Sequence, residues 1–172
     1  HEVRTNSEAL VGVTEVGASA ERDYSKGPAI TSIFHPDENT HIEPVRYPRG
    51  SDFMRMLSSP MTDGGNRVTR PIKMLWSILT HPVDILRLTF NREWASSTVI
   101  FLVMQTLDNK MRFTLGRSLF TFFRKNLVTR PEGGPLAIPT YIPIGHQVAR
   151  AFAKKVGGIP QSAVNEVLLD IP

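Results

Sequence analysis

Among the side chains of this sequence, the run Ser51-Asp52-Phe53-Met54 sets a carboxylate, able to carry a proton, directly beside bulky apolar groups. It follows a Pro48-Arg49-Gly50 break, so Ser51 can cap a helix that starts at Asp52. In that position Asp52 also complements the positive end of the helix. A second polar run, Thr5-Asn6-Ser7, holds small hydrogen-bonding groups and reads locally as a helix start, with Glu8 three residues after Thr5. Phe53, Met54, Met56, Trp76 and Trp94 can make an adaptable apolar wall, although such residues ordinarily belong to a core.

Other chemistries are absent from the sequence. It has no cysteine, so thiolate ligands, disulfides and a cysteine nucleophile are excluded. No GxSxG elbow, HExxH helix or glycine-rich dinucleotide fingerprint occurs. The histidines at 1, 35, 41, 81 and 146 are dispersed. His35 and His41 can face each other across a turn, but without further ligands they read as edge-strand residues, and no metal is expected.

The elements that would position these groups follow from pattern. Residues 9–16 mix small and β-branched side chains, a strand or a buried turn, and lead into a Gly17-Ala18-Ser19-Ala20 loop. Residues 29–34 and 41–47 flank the turn-rich 35–40, the pattern of an antiparallel hairpin with Pro44 at an edge or bulge. After the polar loop 61–67, residues 71–79 and 83–90 carry apolar groups at helical spacing on either side of His81-Pro82. Residues 97–106 form a continuously apolar strand. Tight turns at 108–109 and 116–118 predict a meander running from it through 111–115 and 119–125. A Pro/Gly-rich connector, 126–139, leads to a helix capped by Thr140 and stopped at Gly157-Gly158, and then to a last helix from Ser162 to 169. The class is α+β, an antiparallel sheet packed with helices.

At 172 residues, 41% hydrophobic and 21% charged, the chain is long enough for a real core. Its net charge of +4 conceals a basic middle. Residues 46–130 hold fourteen Lys or Arg against five Asp or Glu. Such a block suits an anionic surface or an acidic partner, while no recognition motif points to nucleic acid. The two helices at 71–90 therefore have three uses: inward packing as core, which is the ordinary fate of an amphipathic stripe, an entrance for an apolar substrate, or contact with a membrane surface. No apolar stretch approaches the roughly 20 residues of a transmembrane helix, and no signal peptide is visible.

The runs VRTNSE, HIEPVRYPRGSDFM, TVIFLVMQTLDNKMRF and NEVLLDIP, in that order, resemble the substrate-binding portion of the glucose-methanol-choline flavoenzymes, closest to their bacterial cholesterol-oxidase-like branch. The resemblance implies one substrate-binding domain fragment over 1–172: loop, hairpin and short helix in 1–60, a helical insert at 68–94, strands at 97–126 and helices at 140–172. It also implies that FAD is bound mainly by residues outside this chain, and that both ends of the sequence are cuts, with a histidine in a glycine-bearing motif soon after Pro172 and a catalytic His or Asn beyond it. Asp52 falls at the position of an acidic residue that follows a Pro-x-Gly turn and points toward the steroid and flavin, with Asp where cholesterol oxidases carry Glu and a correspondingly shorter reach. Asn6 falls on a turn near the active-site side of the flavin. Phe53 and Met54 become substrate contacts. The implied activity is oxidation of a sterol or other apolar alcohol in a bacterial cytoplasm or cell envelope. A chain using its basic amphipathic helices as a non-catalytic lipid- or partner-binding module is the alternative.

Overall fold

The computed structural model describes residues 2–17, 22–117, 122–131 and 138–169. In chain order its elements are β1 (Glu2–Arg4), β2 (Glu8–Glu15), β3 (Phe34–Asp37), β4 (Thr40–Val45), a 3₁₀ helix (Asp52–Leu57), β5 (Ser58–Pro60), α1 (Thr69–Thr80), α2 (Pro82–Thr89), α3 (Trp94–Ser97), β6 (Thr98–Gln105), β7 (Lys110–Arg117), β8 (Lys125–Pro131), α4 (Pro143–Val156), β9 (Gly158–Ala163) and α5 (Val164–Leu169). Six strands form one sheet in the order β3-β4-β6-β2-β9-β5, and three form a second, β1-β7-β8. Every pairing between these strands is antiparallel, and the class is α+β.

The core lies on one face of the large sheet. Alternate residues of β2, Ala9, Val11 and Val13, are buried together with Ile42, Phe101 and Val103 from its neighbours. Helix α4 covers them with Ala149 and Ala153, and Phe152 meets Phe101 edge to face at 5.4 Å. The helix can approach this closely because Gly145 lies over Val103, where a Cβ would come within 2.7 Å of a valine methyl. Pro143 in its first turn and left-handed Gly157 at its end set its length. Thr140 is not the cap, since the residue before the helix is the extended Ile142.

Several local expectations are corrected. The hairpin turn is tighter than 35–40: His35, Pro36 and Asp37 belong to β3, and the Asp37 carboxylate accepts the Asn39 N–H at 2.9 Å. Pro44 sits inside the sheet order but opposite the irregular stretch between Ile30 and Phe34, where its missing N–H leaves no ladder bond unmade. β6 does not continue into a meander. It is sandwiched between β4 and β2, and the next strand joins the other sheet because buried Asn109 is tied back to Thr5 and Ser7 beside β1. Of the predicted third strand, 119–121 lie outside the described residues, as do 18–20 and 132–137 of the two predicted loops; the strand itself comes later, as β8. Ser162 does not cap a helix. It belongs to β9, which the pattern missed, and its hydroxyl accepts the Thr62 N–H. Thr5 and Glu8 make no capping box either, for Glu8 opens a strand.

The largest departure concerns α1 and α2. Both helices form, but core packing of their apolar stripe is not what is found. The buried residue of α1 is Arg70, whereas Ile72, Leu75, Trp76 and Leu79 stand in solvent, Trp76 at 68% exposure. On α2, Val83 and Leu86 are exposed, followed by Phe90 at 74%. The guanidinium of Arg70 takes the inner position because it donates to the backbone carbonyls of Thr140 and Glu166, both at 2.9 Å.

Candidate functional site

The face of the large sheet opposite α4 carries Leu10, Gly12 and Thr14 of β2, with Ile100 and Gln161 in register beside Gly12. The 3₁₀ helix and α3 roof part of it. Between sheet and roof lies a cavity of about 100 Å³, lined by Leu10, Gly12, Met54, Leu57, Trp94 and Ile100, with Tyr47, Ser58, Gln161, Ser162 and Asn165 as its polar groups. Gly12 keeps the floor open, since a Cβ there would meet the Ile100 terminal methyl at 3.1 Å. Trp94 is buried against Tyr47, ring centroids 5.8 Å apart, and its indole N–H has no hydrogen-bond partner among the described residues. The lining is that of a pocket for a largely apolar molecule with a few polar anchors.

The candidate residues from the sequence fall in different places. Met54 lines the cavity. Phe53, next to it, is exposed on the outer side of the same 3₁₀ helix. Asp52 accepts the backbone N–H of Ala95 at 3.0 Å, tying the 3₁₀ helix to the start of α3 and thereby fixing Trp94. Ser51 makes no side-chain cap, so Asp52 serves a neighbouring helix as well as beginning its own. Asn6 is exposed at the bend between β1 and β2, its carbonyl taking the Gln105 N–H at 3.0 Å. Beside it, Ser7 adopts a left-handed conformation with φ of 47° and is fully buried.

Spacing gave no sign of a second polar group behind the cavity. Glu166 is 2% exposed, one carboxylate oxygen accepts the Leu10 N–H at 3.0 Å, and the other lies 4.0 Å from Arg70. Burial pushes its carboxyl up to about 7, against the opposing effects of the Leu10 N–H and Arg70. The loose 4.0 Å separation explains why the arginine does not reverse this. Next to it in the fold, His146 is buried under Tyr141, ring centroids 4.7 Å apart, with Nδ1 at 3.4 Å from Asp63. Burial pulls its pKa down to about 4, although Asp63 acts in the other direction. Partial burial works against the charge of Asp63, yet Arg150 at 2.7 Å holds its carboxyl below the usual range. A sequence signal did exist for Glu166, a lone acid inside the apolar run Val164–Leu169. The rings of His35 and His41 lie 5.9 Å apart, tilted at 47° to each other, and no group of three or more metal-ligating side chains occurs among the described residues.

The sequence is similar to known proteins. Over 98% of its length the chain is 39% identical to proteins named cholesterol oxidase from two strains of Mycobacterium tuberculosis, CDC 1551/Oshkosh and ATCC 25618/H37Rv. Over 99% it is 39% identical to a cholesterol oxidase from Acinetobacter baumannii. The chain is cholesterol-oxidase-like. It spans 29% of the length of the mycobacterial proteins and 30% of the Acinetobacter one, so this cholesterol-oxidase-like stretch corresponds to under a third of such a polypeptide. No family model and no solved structure matches it.

Proposed function

We propose that this chain is the substrate-binding portion of an FAD-dependent oxidoreductase acting on the CH–OH group of a sterol. The observation that carries the reading is the apolar cavity on the open sheet face, in a chain alike to cholesterol oxidases along almost its entire length. A bound flavin supplies the acceptor for the hydride of the carbinol carbon. The described residues do not fit its dinucleotide half, since their strand pairings are antiparallel and no glycine-rich strand leads into a helix N-terminus to cradle a pyrophosphate. FAD is therefore held mainly by residues outside this chain, with Asn6 as the local candidate for contact.

Within the chain, Leu10, Gly12, Ile100 and Trp94 form the wall for a flat ring system. Met54 closes it with an adaptable thioether, and Phe53 extends the apolar surface outward. Asp52 acts by position, through Ala95 and Trp94. Two substitutions in the full-length protein separate this role from proton transfer. Asp52→Asn keeps an acceptor for Ala95 and preserves kcat and the product isomer, while Asp52→Ala raises KM. If Asp52→Asn abolishes turnover with the flavin still bound, the carboxylate is catalytic. The reading as a whole is tested by Met54→Trp, which fills the cavity: the flavin spectrum stays unchanged and KM for sterol rises about tenfold or more. A flavin-loaded protein that turns over no sterol, or an unaltered KM in the variant, overturns it.

A further inference from the structure

We infer that Gln161 is the group of the cavity that recognises a hydroxyl of the bound alcohol, its side-chain oxygen accepting the substrate O–H. The inference rests on the sterol reading of the cavity and adds to it the means by which alcohol is told from ketone. Gln161 lies on β9 directly opposite Gly12 of β2, and the two share the cavity floor. A Cβ placed on Gly12 would stand 3.9 Å from the Gln161 Cβ, so the glycine leaves the flank of the glutamine side chain uncovered. Gln161 is 2% exposed and lines the cavity, so what little of it is accessible is reached through the cavity. Its neighbour on the strand, Ser162, is already engaged by the Thr62 N–H.

The amide is held by one end. Its Nε2 donates to the hydroxyl of Thr14, which in turn shares a hydrogen bond of 2.7 Å with the hydroxyl of Thr98 on β6. Thr14 and Thr98 face each other in register and both are buried, so the three side chains form a short polar row across β9, β2 and β6. With the nitrogen end committed to this row, the oxygen is the end left for a ligand. It accepts no hydrogen bond from any described residue, and it is not sealed from solvent as the Trp94 indole N–H is. A carbonyl set among Leu10, Gly12 and Ile100 loses its water when an apolar ligand enters, and that loss is offset only by a ligand that brings a donor to it. An alcohol O–H is such a donor. The ketone formed when the hydride and the hydroxyl proton have left is an acceptor only, and would set two oxygens with lone pairs against each other. The site thereby favours the alcohol over its own product, and does so with a group carried on a strand of the sheet.

The test uses the full-length, flavin-loaded protein, with micellar cholestanol as substrate and cholestanone, the matching 3-ketone, as competitive inhibitor. In Gln161→Met, a side chain of similar length without the amide, KM for cholestanol is expected to rise about tenfold with kcat little changed, while Ki for cholestanone stays the same or falls. Gln161→Glu keeps an acceptor, to which the Thr14 hydroxyl can donate, and restores the preference for alcohol over ketone. Thr14→Val leaves Gln161 in place but releases its nitrogen end, and lowers the preference by about threefold. It answers the question even if Gln161→Met folds poorly, which its flavin spectrum and melting temperature would reveal. An unchanged KM in Gln161→Met overturns the inference. So does an equal rise in KM and Ki, which makes Gln161 a wall contact that does not choose between the two oxygens, or an unaltered preference in Thr14→Val. Unaltered protein that holds flavin but oxidises no cholestanol removes the sterol reading and the inference together, whereas sterol turnover with an indifferent Gln161→Met removes the inference alone.

Discussion

Helices α4 and α1 carry apolar stripes of the same period and bury opposite sides. In α4 the small residues Ala149 and Ala153 press on the sheet while Lys154 and Lys155 stay in water. In α1 the arginine is inside and the tryptophan outside. The contrast teaches that a helical period identifies a stripe but not the direction it faces. Direction is decided by what the rest of the fold offers. For α4 the offer is an apolar sheet. For α1 it is the backbone carbonyls of Thr140 and Glu166, to which the Arg70 guanidinium donates.

Substitutions in the two regions should separate sharply. Phe101→Ala removes a ring that is 4% exposed beneath α4 and should lower stability by about 3–5 kcal/mol in chemical denaturation. Gly145→Ala pushes a methyl into Val103 and should follow at about 1–3 kcal/mol. Equal stability of Gly145→Ala and the unaltered protein would show that α4 moves away from the sheet easily, and the contrast with α1 would be blunted.

Glu166 on α5 and His146 on α4 have titrations that oppose each other. Glu166 is raised to about 7 from 4.5, so the folded state holds a proton that the unfolded chain has released, and stability falls as pH rises through that window. His146 is lowered to about 4 from 6.5, so the unfolded chain takes up a proton that the folded state refuses, and stability falls as pH drops through that window. Where the windows overlap the slopes largely cancel. Glu166→Gln should therefore expose an acid-labile protein and His146→Gln one that gains stability toward acid, each by on the order of 1 kcal/mol in melting curves across the overlap. Parallel curves for both variants would show that neither group titrates as its burial implies. The smallest effect belongs to the outer helices: Trp76→Ala, at a residue 68% exposed, should change stability by no more than about 0.5 kcal/mol. A larger loss would mean that the tryptophan is covered in the full-length protein.

Much of this fold is legible in residue patterns, and the failures share a cause. The strand around residues 97–106, the hairpin before it and the helices near 71–90 and 143–156 follow from periodicity and turn chemistry. β9, reading GIPQSA, has neither alternation nor β-branched density, and exists because β2 and β5 flank it. The meander fails because Asn109 is held by residues about a hundred positions earlier in the chain, which no local window contains. In the site, Met54 could be found from its neighbours in sequence. The bond from Asp52 to Ala95 could not, because it depends on α3 arriving from 43 residues further along. Glu166 was visible only as an acid among apolar residues, an anomaly that marks burial without saying what is buried beside it.

Arg70 gives the helical pair an unusual kind of freedom. It hooks α1 onto main-chain oxygens, which every residue type possesses. The outer faces can thus change composition while the fastening stays intact. What must stay is the arginine, because the two carbonyls it fastens, those of Thr140 and Glu166, belong to segments 70 and 96 positions further along the chain.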